Sequence, residues 1–128
     1  MCTSARRIEA YLLRSLAGTV LLALFGAVYE LFSHGVYSYH MIYAFAIPLG
    51  MGVIPYTLLV LRGKNPSLAF LHLWSAAMAV LGVGCAFQGV LEIYGTTNRL
   101  VIVYPVAGGA LAAVALLSLL WAHRRRRQ

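Results

Sequence analysis

Four stretches of about twenty apolar residues, separated by short polar breaks, dominate this chain. From Ser15 through Leu61 the only Asp, Glu, Lys or Arg is Glu30. From Pro66 through Asn98 the only one is Glu92, and from Leu100 through His123 there is none. A hydrocarbon core of ~30 Å takes roughly 20 apolar residues to cross as a helix. Four runs qualify: residues 11–32, 40–61, 67–90 and 100–121. Lipid offers no partner for backbone N–H and C=O groups, so each run is expected to be helical. The expected fold class is all-α integral membrane, a single domain over residues 1–128 with four transmembrane helices.

Composition removes the alternatives. Of 128 residues, 62% are hydrophobic and 10% are charged, against ~25% charged in an ordinary soluble domain. A small globule leaves much of its surface in water and cannot hide that much apolar side chain. A soluble enzyme, a disordered tail and a secreted disulfide-rich module are therefore excluded. Catalytic triads, phosphate-binding loops and zinc-protease signatures are absent, so the sequence offers no argument for an enzyme. The two cysteines, Cys2 and Cys85, form no CxxC pair and are expected at different membrane levels, without a disulfide or a thiolate metal site. Cys85 is expected to pack as a small apolar side chain. The first run is too long for a signal-peptide core and no small-x-small cleavage site follows it, so it is expected to remain as a helix.

Charge sets an expected orientation. The net charge is +7, from ten Lys and Arg against three Asp and Glu. Arg6, Arg7, Arg14, Arg62, Lys64 and Arg124 to Arg127 fall at one end of the four runs, and only Arg99 falls at the other. The positive-inside rule then places both termini and the Arg62–Lys64 loop in the cytoplasm, with the chain in a plasma or inner membrane. The Arg124–Arg127 run is expected to touch anionic lipid at that face. Basic residues that bind nucleic acid form a patch on a polar surface; here they flank apolar runs, so no nucleic-acid partner is expected.

Local signals punctuate the runs. Ser38, and Thr96 or Thr97, are candidate N-caps, and Asn65-Pro66-Ser67 places a proline suited to a first helical turn. Pro48, Pro55 and Pro105 fall inside runs, where each removes a backbone donor and can bend a helix. Small residues four apart (Ala23 and Ala27, Gly82 and Ala86, Gly109 and Ala113) suit close helix packing in lipid. Gly26 and Gly84, Glu30 and Gln88, Pro48 and Pro105, and Gly52 and Gly109 match at offsets of 58 or 57. They predict two tandem helical hairpins about an axis along the membrane normal.

The candidate site lies at the end expected to face outward. Glu30 sits near the outer end of the first run, where a carboxylate calls for a partner or a wet cavity. His34 follows four residues later, and Gln88 and Glu92 repeat that spacing on the third run. His40, Tyr94 and Asn98 flank them. Glu30, His34, His40, Gln88, Glu92, Tyr94 and Asn98 are therefore expected to line an outward-facing polar pocket. Such a pocket would bind or transport a small cationic or polar solute, or protons. Two alternatives stand beside it. One is an accessory or anchor subunit, since four short helices enclose little volume and suit a homo-oligomer or a larger complex. The other is a membrane cytochrome holding haem b through His34, His40 or His72.

Overall fold

Every apolar run becomes helix, and short polar turns join the helices. The computed structural model describes residues 2–128, without the side chains of Cys2, Ser4 and Ala5, so the expectation for the Cys2 thiol lies outside the described residues. Helix α1 covers Cys2–Phe32. The second run is divided into α2 (Tyr39–Tyr43), α3 (Ala46–Pro48), a π-helical segment (Leu49–Val53) and α4 (Ile54–Leu61). Helix α5 covers Leu68–Ile93; a 3-10 turn at Arg99–Ile102 leads into α6 (Val103–Arg125). Among the described residues there is no strand. Among the described residues, four stretches are long and apolar enough to cross a membrane: Arg6–Phe32, Tyr39–Leu61, Leu68–Ile93 and Arg99–Arg125. Their outer faces are open, as at Leu31 (82% exposed) and Leu61 (76%), which suits contact with lipid chains.

The helix ends follow packing and caps. Helix α1 starts well before residue 11 because Ile8 and Tyr11 are buried with Tyr56, Phe70, Leu71 and Ala115 in a core at the end that carries the termini. Burying Ile8 extends the helix past the apolar run. Ser67 caps α5, its hydroxyl accepting from the Phe70 amide at 3.3 Å; Pro66 stands just before the cap rather than inside the helix. The last span is capped by Asn98, whose Oδ1 accepts from the Leu100 amide at 3.0 Å, and not by Thr96 or Thr97. Asn ranks above Thr as a cap.

The second span departs from regular α-helix where its prolines stand. Pro48 has no N–H for the Ala44 carbonyl, which accepts instead from the Ile47 amide at 3.3 Å. The hydrogen-bond spacing then widens, and the Ile54 amide donates to the Leu49 carbonyl five residues back. Pro55 in turn leaves the Met51 carbonyl without its ordinary helical donor. The indole Nε1 of Trp74 on α5 donates to that carbonyl at 2.6 Å. The ring is held by stacking on Phe70, centroids 5.7 Å apart.

Close approach depends on glycines that the four-residue pattern did not single out. The backbone of Met41 is wedged between Gly26 of α1 and Gly89 of α5. A Cβ on Gly26 would lie 2.9 Å from the Met41 carbonyl oxygen, and one on Gly89 would lie 2.8 Å from the Met41 nitrogen. Gly84 receives the side chain of Tyr104, and Gly108 receives Leu81, so α5 and α6 interlock along their length. Gly109, by contrast, meets nothing within 4 Å. The matched hairpin positions share one trait: Gly26 and Gly84 both meet the next span of their own hairpin. The other pairs differ. Pro48 is buried and Pro105 exposed. Gly52 faces Ser15 and Met78, whereas Gly109 is open.

Candidate functional site

The end of the bundle away from the termini is built around Ser38. Helix α1 ends after Phe32, where the Ser33 amide and hydroxyl both bond the Glu30 carbonyl, at 3.3 and 2.7 Å. The chain then turns through His34, at φ 53°, and Gly35, at φ 90°. A left-handed residue that carries a Cβ is uncommon, and His is among the types that tolerate it. The turn brings residues 36–38 back over the bundle. There the Ser38 amide donates to Glu30 Oε1 at 3.2 Å, and the Ser38 hydroxyl donates to Glu92 Oε2 at 2.5 Å. The same hydroxyl oxygen caps α2, accepting from the Met41 amide at 3.3 Å. One buried serine thus ties both carboxylates to the start of the second span.

Glu92 gathers the rest. Its Oε1 accepts from Gln88 Nε2 at 3.2 Å and lies 2.7 Å from His40 Nδ1. The Gln88 bond is the i, i+4 contact expected from the spacing. The His40 contact is a charged pair when the imidazole is protonated. A half-exposed ion pair of this kind contributes little by itself; the contact orients the Glu92 carboxylate toward the start of α2. The Cys85 thiol contacts the His40 carbonyl oxygen at 3.2 Å and holds the first turn of α2 against α5.

Four of the seven expected residues therefore meet: Glu30, His40, Gln88 and Glu92. His34 stands apart. A Glu30–His34 pair needs the helix to continue past residue 34, and α1 ends at Phe32 with a turn at Ser33. His34 is exposed on the loop. Tyr94 is also exposed, with its hydroxyl beside that of Tyr29. Asn98 is used as a cap and lines the crevice described next. In the sequence Ser38 is legible only as a helix cap. Nothing in the sequence marks it as the residue shared by two distant carboxylates, because that role depends on where α5 lies.

Beside the cluster lies a crevice of about 530 Å³ between the second span, α5 and the start of the fourth span. Ile47, Leu81, Val101, Tyr104 and Pro105 give it apolar walls. His40, Gln88, Asn98 and Arg99 give it a polar end. Leu81 precedes Gln88 by two helical turns, so the apolar part reaches about 10 Å below the polar groups. Arg99 pairs with no carboxylate among the described residues.

The imidazoles considered for haem are differently placed. His40 Nδ1 is engaged by Glu92, and His72, near the opposite end, has its Nδ1 3.0 Å from the Tyr11 hydroxyl. No group of three or more His, Cys, Asp or Glu among the described residues is arranged to hold a metal ion. No family model, no curated protein and no solved structure matches this chain.

Proposed function

We propose that the chain is a small multi-pass protein of a plasma or inner membrane that binds a small ligand in the crevice at the end away from its termini. The observation that carries this reading is the crevice itself. Its volume lies within the range of small-molecule pockets, and apolar walls with a few convergent polar groups are what such pockets present. The carboxylates take a supporting part. Glu30 and Glu92 are bonded by Ser38, Gln88 and His40 and do not line the crevice, so they hold His40 and Gln88 in its wall and do not offer a bare anionic surface to a cation.

The ligand reading is tested on the purified protein by native mass spectrometry in a mild non-ionic detergent. Wild type is expected to retain one small-molecule adduct per chain. Ile47→Trp, which fills the crevice from the second span, is expected to lose it while keeping the wild-type thermal midpoint. A bare wild-type chain, or an adduct that survives in Ile47→Trp, would overturn the proposal.

Orientation follows from charge. Both termini are assigned to the cytoplasm because nine of the ten basic residues lie at their end. At the same end the Arg125 guanidinium stacks over Trp121 at 3.9 Å, a pairing suited to a membrane interface. The arginines beyond it would contact anionic lipid. A periplasm-dependent reporter enzyme is expected to be silent when fused after Gln128 and active when inserted between Gly95 and Thr97. The reverse pattern would invert the assignment and put the crevice on the cytoplasmic side.

A further inference from the structure

Building on the binding reading above, we infer that the ligand is a single-chain amphipath with an anionic head, drawn from the bilayer. Three observations converge on that class. The first is polarity along the crevice. The apolar wall at Leu81 lies about 10 Å deeper than Gln88 at the polar end, so an elongated molecule with one polar terminus matches the site along its axis. The second is charge. Arg99 is the basic residue that breaks the charge asymmetry of the chain, and it lies at the mouth of the crevice with no carboxylate partner among the described residues. The neighbouring negative charge, on Glu92, is held by Ser38, Gln88 and His40. Arg99 lines the crevice and neither Glu92 nor Glu30 does, so the fixed charge in its lining is positive. A guanidinium there binds a carboxylate or similar anion through charge-assisted hydrogen bonds, with the Gln88 and Asn98 amides beside it. The third is size. About 530 Å³ accommodates one drug-sized chain.

A second groove on the molecule sharpens the contrast. It lies between α1 and α5, holds about 360 Å³, and is walled by Leu21, Phe25, Phe87 and other apolar residues. It offers nothing to read a head group and suits ordinary lipid chains.

The test compares three molecules of equal chain length, palmitate, hexadecanol and hexadecyltrimethylammonium, with phosphatidylglycerol as a two-chain anion. Binding to delipidated protein is followed by native mass spectrometry. Palmitate is expected to bind one per chain, about tenfold more tightly than hexadecanol, as one charge-assisted contact implies. Arg99→Gln should lose about the same factor, and Ile47→Trp should abolish binding. Equal or tighter binding of hexadecanol or of the ammonium compound overturns the anionic class and leaves the pocket standing. Palmitate binding unchanged in Arg99→Gln overturns the role of Arg99. Preference for phosphatidylglycerol overturns the single-chain assignment. Binding of none of the four, or equal binding to Ile47→Trp, overturns the pocket itself.

Discussion

Gly89→Ala will lower the thermal midpoint of the detergent-solubilised protein, while Gly109→Ala will raise it. Both glycines lie inside helices, where alanine is favoured by about 1 kcal/mol. At Gly109 the added methyl meets nothing within 4 Å, so only that gain remains. At Gly89 the methyl would lie 2.8 Å from the Met41 nitrogen, 2.9 Å from its Cβ and 3.0 Å from its Cα. Met41 cannot retreat, because Gly26 supports its carbonyl from the other side. Forcing atoms into a packed contact costs about 1–3 kcal/mol, enough to reverse the sign of the propensity gain. The displacement also reaches the candidate site. Met41 is next to His40, so moving the start of α2 draws the imidazole from Glu92 and the His40 carbonyl from the Cys85 thiol. Gly89→Ala should therefore also speed alkylation of Cys85 in a background lacking Cys2. A shift of the same sign in the two glycine variants would count against the wedge.

Trp74→Phe is the second large effect. Phenylalanine keeps an aromatic ring against Phe70 but removes the indole N–H together with part of the fused ring, and a cycle with Pro55→Ala separates the two losses. The Met51 carbonyl then faces apolar surroundings with its helical donor already removed by Pro55. A buried carbonyl left without a partner costs about 1–3 kcal/mol, and lipid supplies no substitute. The same substitution in a Pro55→Ala background should cost much less, since alanine returns an N–H to the position from which the Met51 carbonyl is ordinarily served. The two changes therefore couple, and a thermodynamic cycle measures the coupling. Additive costs in the double variant would show that Trp74 stabilises the bundle through packing alone.

The two predictions concern features that stand differently in the sequence. Pro48 and Pro55 announce a break in the second span, and a break is found, as a π-helical segment with its carbonyls re-satisfied locally and by a neighbour. That the neighbour is Trp74 could not be read, since indole nitrogens bond in many settings. The Gln88–Glu92 contact was legible because an i, i+4 pair on a helix depends only on helical geometry. The Glu30–His34 pair used the same rule and does not form, because the turn that begins at Ser33 ends the helix first. Among the glycines, a fixed four-residue spacing pointed to Gly109, and Gly108 makes the contact. A shift of one residue turns the chain by about 100° on the helix, and a span apolar on all sides gives no signal of which face meets its neighbour.

What the sequence by itself determined is the class of molecule: four helices with few charges, short loops, and basic residues gathered at one end. Those properties follow from composition and run length, since lipid admits only a backbone that satisfies itself. The tertiary structure alone decided which helices touch, and hence the site. Ser38 and Glu92 are 54 positions apart, and they meet because Met41 fits between two glycines from different helices. The crevice likewise exists only because the second and fourth spans lie beside the same end of α5. Contacts of that kind rest on shape complementarity between faces of nearly equal hydrophobicity, and hydrophobic patterning does not encode shape.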